Sequence, residues 1–381
     1  VSERVDPNLR HEVLEFGGED ISKCMNCGNC TAVCSLSQGN TVFPRKTIRQ
    51  LQLGLKDKLL SSAEPWLCYY CGECSDTCPR QAEPGETMMA ARRYLTSQYD
   101  WTGLSRRLYI SKAWEFGALI VVGLFVVALF YFFHGPMITD RVSVNTFAPV
   151  AWVEIGDWIM ALLLFAFLAS NAYRMYRYIM SDQKDLKIPF SLYLSELKTL
   201  FVHGATQKRW RECDSPTHWL KHLLLVTAYA TMLLLVVVFL RWFQTDEIRP
   251  IWHPTRFLGY YATAVLLYFT VDAMISRLRR DKQIHKHSHL TDWTFLILLF
   301  LTTLSGIIFH LFRIVGLPLP TYYAYVVHLA IAVPMLVVEV PFGKWAHLAY
   351  RPLALYFISL KEKARELAAA TPAVPNATTA G

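Results

Sequence analysis

Six stretches of this chain are long and apolar enough to cross a bilayer, which takes about 20 residues as a helix. They lie near Trp114 to Phe133, Val150 to Tyr173, Trp219 to Leu240, Leu258 to Met274, Trp293 to Phe312 and Tyr322 to Val340. Hydrocarbon supplies no partner for an open backbone amide, so each stretch must close its hydrogen bonds within itself. The chain is polar up to about Ser111 and mostly hydrophobic from there to about Pro341. It therefore divides into a head and a membrane part.

Charge orients the bundle. With the first span entering from the cytoplasm, the inner loops Arg174 to Thr217 and Arg277 to His289 hold thirteen Lys and Arg, against five in the three outer loops. The positive-inside rule then places both termini in the cytoplasm and makes the chain a multi-pass protein of the cytoplasmic membrane. The N-terminal residues include Glu3, Arg4, Asp6 and Arg10 and form no short apolar run with a cleavage site, so the head is expected to stay inside. A net charge of +8 could suggest nucleic acid, but the basic residues stand beside hydrophobic segments and report membrane orientation instead. In the long inner loop, Leu192, Leu194, Leu197, Leu200 and Phe201 suggest a short helix along the membrane surface. From about Leu367 the chain is rich in Ala, Thr and Pro and is expected to be a disordered tail. No internal repeat is visible.

Eight of the nine cysteines are tightly clustered. Cys24, Cys27, Cys30 and Cys34 form C-x2-C-x2-C-x3-C, and Cys68, Cys71, Cys74 and Cys78 repeat it, followed by Pro79. In a reducing compartment such clustering points to metal ligation rather than disulfides. Four thiolates hold a 4Fe-4S cubane; the close triplet wraps three corners and the fourth cysteine crosses to the other cluster. Cys24, Cys27, Cys30 and Cys78 are thus assigned to one cluster, and Cys68, Cys71, Cys74 and Cys34 to the other. Two zinc sites are the competing reading, although zinc sites pair two knuckles rather than a triplet with a remote fourth ligand. Gly28 and Gly72, inside the triplets, suit the tight turns of a wrapping loop. Cys213 has no partner in sequence and is expected to be an inert thiol.

Ile48, Leu51 and Leu55 recur at helical spacing between the motifs, and Met88, Met89, Ala91 and Tyr94 follow the second in similar style. The head resembles the helical two-cluster ferredoxin module of heterodisulfide reductase C subunits and of succinate dehydrogenase iron-sulfur subunits. The expected fold is all-α. A helical two-cluster ferredoxin domain over residues 1–105 precedes a six-helix transmembrane bundle over 106–350 and a cytoplasmic tail over 351–381.

An ionisable side chain within a span costs about 2.5 to 3.5 kcal/mol on insertion scales, so such a residue defaults to a functional hypothesis. Five histidines qualify: His218, His222, His310, His328 and His347. A neutral imidazole aimed into the bundle can be an axial ligand of haem iron. On a straight helix the rise from His328 to His347 is about 28 Å, close to the hydrocarbon thickness, so one helix could serve a haem in each leaflet. The segment from His328 through Pro341-Phe342-Gly343-Lys344-Trp345-Ala346-His347 resembles the last helix of the nitrate reductase gamma subunit family of cytochromes b, in which the matching histidines bind two b haems. His218-Trp219-Leu220-Lys221-His222 is similar to that family's other ligand helix. The resemblance implies that His222 pairs with His347 on the haem nearer the head, with His218 as its substitute. The family's second histidine on that helix is replaced here by Ala228 and Met232, and His310 is the expected substitute partner for His328. Asp272 and Glu339 near span ends could sit on a proton path, and His285, His287 and His289 could bind a metal; solvated helix ends and a charged loop are the plainer readings.

A heterodisulfide-reductase-type head fused to such a cytochrome b resembles the C-subunit family of quinone-interacting membrane-bound oxidoreductase complexes. That resemblance implies menaquinol oxidation in the membrane and electron delivery through b haems and two 4Fe-4S clusters to two flavin- and iron-sulfur-containing partner subunits, with adenylylsulfate reductase downstream. Tyr322, Tyr323, His310 and Arg313 are candidates for the quinone pocket. A fused heterodisulfide-reductase-type subunit serving another soluble partner is the alternative. A membrane scaffold or transporter with zinc-bound modules is a reading from another class, and the spans lack the paired-charge pathway it needs. No Gly-rich dinucleotide fingerprint is present.

Overall fold

The computed structural model of the chain describes residues 3–18, 21–38, 41–183, 186–213, 216–280 and 282–370. The described residues are helical and irregular throughout. In the head, α1 (Leu9–Leu14), α2 (Asn29–Val33), α3 (Arg45–Gln52), α4 (Glu73–Asp76), α5 (Pro84–Tyr99) and α6 (Leu104–Ile110) surround one core. Leu9, Ile48, Leu51, Trp66, Met88, Tyr94 and Tyr99 are among its buried members and Met89 packs partly buried against it, whereas Leu55, expected at the same helical spacing, lies beyond α3 and is only half-buried.

Six helices meet the length and composition of membrane spans. They are α7 (Lys112–Phe133), α8 (Val150–Ile179), α11 (Pro216–Val237), α12 (Phe257–Arg279), α13 (Leu290–Val315) and α14 (Pro318–Pro334), the last continued to Phe342; the basic loop carries α9 (Phe190–Thr206) and α10 (Lys208–Cys213). Their outward faces carry exposed Val121, Leu124, Leu162 and Phe165, a surface that lipid tails would cover. Side-chain caps set two starts: Ser111 accepts from the Trp114 amide, and His289 with Asp292 forms a reciprocal capping box on α13. Pro318 opens α14, where a missing amide hydrogen costs nothing.

The sixth span departs from the straight helix expected between His328 and His347. Pro334 lies inside it, residues Met335–Glu339 form a π segment, Pro341 follows, and Gly343 adopts an extended conformation that ends the span. Each proline removes a donor to the carbonyl four residues earlier, so the regular ladder cannot run through. His347 instead begins a separate helix, α15 (His347–Ala370). The rise of about 28 Å for an unbroken helix therefore does not apply. Pro334 leaves the Ala330 carbonyl without its helical donor, and span one approaches it closely there: a Cβ on Gly123 would lie 2.9 Å from that oxygen.

Residues 351–381, expected as a tail, need a second correction. They are helical through Ala370, including Leu367, and Tyr350, Ala354, Phe357, Leu360 and Ala364 are buried in the core of the head together with Met175 and Ile179 of α8. The periodicity of these apolar residues is ordinary helix amphipathicity, outweighing the Ala-rich composition beyond it. Residues 371–381 lie outside the described residues. The surface helix of the inner loop is present as α9. Its Leu192 is buried against the core and Glu196 pairs with Lys363 of α15, while Leu194, Leu197 and Phe201 stay exposed.

A buried charge cluster locks the head to the bundle. Asp292 on α13 receives Lys344 Nζ at 2.5 Å and faces Arg93 at 3.5 Å and Arg277 at 4.0 Å, and Arg93 also pairs with Glu86 at 3.0 Å. Arg93 donates to the Phe16 carbonyl at 2.9 Å as well. Breaking such a set by removing one partner costs far more than the net worth of the pair, because the remaining charges stay buried.

Candidate functional site

The two cysteine motifs fold alike. Gly28 and Gly72 take φ of +94° and +93°, and each is the N-cap of a short helix, α2 or α4, that carries the third cysteine. Asn26 and Tyr70, one residue before the second cysteine, are also left-handed, each with φ +58°. These paired turns fold each triplet around a common centre.

The thiols separate into two groups. Cys30 lies within electrostatic reach of Cys24, Cys27 and Cys78, whereas Cys34 has Cys68 and Cys71 as its thiol neighbours. One cavity is lined by Cys34, Cys68, Cys71 and Cys74, with Phe43 and Met88 among its apolar walls. Burial pushes the Cys34 thiol up to about 11, and the Cys68 and Cys71 thiols push it further in the same direction. Burial raises Cys30 and Cys68 too. Four such thiols become thiolates only with a compensating metal charge, so ligation must release protons. Among the described residues no three Cys, His, Asp or Glu side chains converge as a single ion requires. Thiols spread around a cavity fit the corners of a cubane better than a zinc knuckle.

His222 and His347 come together from different elements. Their imidazoles are close enough to interact electrostatically, and Arg351 bears on both. His347 Nδ1 donates to the Lys344 carbonyl at 2.5 Å, and His222 Nδ1 meets Gln207 Oε1 at 2.7 Å. Holding Nδ1–H in this way leaves the Nε2 lone pair for a metal, the usual outer-shell arrangement of a ligating histidine. Burial, then Arg351, holds His347 well below its usual pKa, so the ring is neutral. The Trp210 ring lies 4.3 Å from that of His222.

His328 follows the same pattern, its Nδ1 3.1 Å from Ser305 Oγ. Its ring lies against α13, where a Cβ at Gly306 would be 3.2 Å from Cε1. His310 differs: its Nε2 meets the Tyr260 hydroxyl at 2.9 Å. His218 Nε2 contacts Lys282 Nζ at 2.6 Å near the inner end of its span. Ala228 is fully buried and Met232 packs beside it, so the depth at which a second histidine would stand is filled by apolar packing.

Other candidates have structural tasks. Tyr322 donates to the Ile138 and Arg141 carbonyls and accepts from the Ser143 amide, pinning the first outer loop. Arg313 donates to the carbonyls of Phe243, Thr245 and Glu247. Asp272 pairs with Lys221 at 2.8 Å. Glu339 is buried, with one carboxylate oxygen lacking a hydrogen-bond partner. His289 caps α13, and His287 lies 3.8 Å from Glu83. The side chain of Cys213 lies outside the described residues.

Residues 20–82 match the family model of the 4Fe-4S dicluster domain. These residues hold all eight motif cysteines, the set for two 4Fe-4S clusters. A protein of Archaeoglobus profundus that is like the C subunit of heterodisulfide reductase is 38% identical over 104 residues, which is 26% of this chain and 55% of that protein. An iron-sulfur C subunit of the CoB–CoM heterodisulfide reductase of Methanocaldococcus jannaschii is 33% identical over 123 residues, 30% of this chain and 65% of its own length. The C subunit of an H2:CoB-CoM heterodisulfide, ferredoxin reductase from Methanothermobacter thermautotrophicus is 30% identical over 88 residues, 23% and 48%. The chain thus spans about half the length of the curated relatives it matches. No solved structure matches it.

The dicluster domain and its resemblance to heterodisulfide reductase C subunits were legible in the cysteine spacing. Three neighbours of the paired histidines were not: Gln207, Trp210 and Arg351. Their only sequence signal is position, Arg351 standing one helical turn after His347.

Proposed function

We propose that this chain is a membrane electron-transfer subunit of the kind found as the C subunit of quinone-interacting membrane-bound oxidoreductase complexes: it takes electrons from menaquinol and delivers them, by way of b haems and two 4Fe-4S clusters, to cytoplasmic flavin- and iron-sulfur-containing partner subunits serving adenylylsulfate reductase. Cys24, Cys27, Cys30 and Cys78 hold one cluster, and Cys34, Cys68, Cys71 and Cys74 the other. His222 and His347 ligate the haem nearer the head; His328 ligates the distal one, with His310 as its candidate partner. The observation that carries the reading is the pair of imidazoles, His222 and His347, each tethered through Nδ1.

The residues' own work is to bind and orient. Gln207 and the Lys344 carbonyl hold the two imidazoles in the Nε2-ligating tautomer. The head meets the bundle at the end that carries both basic loops: Arg174 donates to the Gln98 carbonyl and Gln283 to the Glu83 carboxylate. With the positive-inside rule, this end and both termini face the cytoplasm, where soluble partners are found.

A reduced-minus-oxidised optical spectrum of the purified chain tests the membrane half, with b-type haem bands expected; a spectrum without them overturns it. Iron and acid-labile sulfide near about eight atoms each are expected for the head, and stoichiometric zinc in their place overturns the clusters. A second reading, a fused heterodisulfide-reductase-type subunit serving another soluble partner, is favoured by the names of the three relatives. Co-purified partners and reduction of their flavin by a menaquinol analogue separate the two.

A further inference from the structure

The two motifs are built alike, yet the carbonyls of their first cysteines meet donors of different charge. The Cys24 carbonyl accepts from the neutral Gln52 amide at 2.7 Å. The Cys68 carbonyl accepts from two guanidinium groups, Arg351 at 2.8 Å and Arg92 at 3.0 Å. The Arg351 guanidinium also lies over the Tyr69 ring, 4.4 Å from its centroid, and Tyr69 stacks on Trp210 at 5.4 Å. Trp210 in turn packs on His222.

We propose that Arg351 is a positioning residue that joins the His222–His347 site to the cluster held by Cys34, Cys68, Cys71 and Cys74, and that with Arg92 it sets this cluster at a higher reduction potential than its twin. The inference rests on the proposed haem and cluster ligation. Arg351 stands one turn beyond His347 on α15, so the helix that presents the imidazole also grips the cysteine loop. Two guanidinium charges on one neutral carbonyl are matched by the net negative charge of a thiolate-ligated cluster. Positive charge beside a cluster favours its reduced form, which carries one more negative charge. At the other triplet the Cys24 carbonyl meets the neutral Gln52 amide, with the Arg45 guanidinium lying near Gly28, so the bias there is weaker than that of two guanidinium groups on one cysteine carbonyl. The Cys34, Cys68, Cys71 and Cys74 group lies on the side of the head that meets the bundle, where Gly72 packs beside Gln283 and Ile284 of the inner basic loop. The other, with Cys27 exposed and Met25 59% exposed, faces outward.

The test is a redox titration of the full chain in detergent, followed by electron paramagnetic resonance, on wild type, R351Q, R351K and R92Q. In R351Q the midpoint of one cluster is expected to fall, with about a tenfold change in its equilibrium with the other, whose midpoint stays put. R351K restores most of the shift, and R92Q shifts the same cluster in the same direction. If R351Q fails to retain its clusters, R92Q decides alone. Unmoved midpoints, or equal shifts of both clusters, overturn the proposal. Failure of the underlying reading shows separately, as a wild-type protein lacking the two cluster signals or the b-haem bands.

Discussion

The head and the membrane bundle bring their candidate ligands together in opposite ways. In the head, each cysteine triplet spans seven residues, and one glycine turn with a five- or four-residue helix wraps it. The ligands are neighbours in sequence, so local backbone geometry suffices to gather three of every four. His222 and His347 are far apart in the chain, and tertiary packing brings them together, α11 meeting the turn just before α15 through the Tyr229 and Trp345 rings. The first arrangement survives considerable tertiary change; the second depends on a broken helix, a charged junction and two Nδ1 tethers. A short-range site is robust because little chain must be ordered to form it, whereas a long-range one requires the whole intervening fold to be in place.

The largest test of this contrast is Cys74→Ser. It should remove one cluster and leave the other, so iron and sulfide fall to about half while b-haem absorbance persists. Loss of haem as well would show that the head's cluster supports the bundle. Next in size, His347→Ala should abolish one b haem and leave iron and sulfide at wild-type levels; wild-type haem content in that variant would refute the assignment. Asp292→Asn removes the carboxylate charge that faces Lys344, Arg277 and Arg93, leaving Arg93 only Glu86 as a charged partner, and should destabilise the head–bundle junction by about 3 kcal/mol. Thermal loss of cluster absorbance at an unchanged temperature would contradict that.

The smallest effect concerns α9 and α15. Burial pushes the Glu196 carboxyl up, but hydrogen bonds from Lys363, Ser359 and Thr199 outweigh it and hold the group down at about 2. Because the folded pKa lies below the ordinary glutamate value of about 4.3, its stabilising contribution is complete above that value. It fades as the pH falls towards about 2. Protease sensitivity of the loop around α9 should therefore rise as the pH drops below about 4, and Glu196→Gln should abolish this dependence.

Much of the site was readable because its chemistry is written at short spacing. Eight cysteines at C-x2-C-x2-C-x3-C intervals announce two clusters, and Gly28 and Gly72 announce the turns. His222, His328 and His347 stood out because imidazoles are costly in apolar spans. Hidden from such reading were Gln207, which orients His222, and the arginine pair at Cys68, since neither polar loop residues nor helix-borne arginines carry a recognisable spacing. The straight helix expected from His328 to His347 failed for a local reason: Pro334, Pro341 and Gly343 interrupt a stretch that hydropathy alone reads as continuous.

By itself the sequence determined the all-helical class, the six spans and the eight thiol ligands, because each follows from a local rule: backbone closure in hydrocarbon, or the reach of a short loop around a metal body. The tertiary structure alone decided that residues 351–370 return to the head, that Asp292 gathers three cations, and that one cysteine group sits under Arg351 while its twin faces outward. Those outcomes depend on which helix faces pack together, and packing joins residues hundreds of positions apart that no periodicity connects.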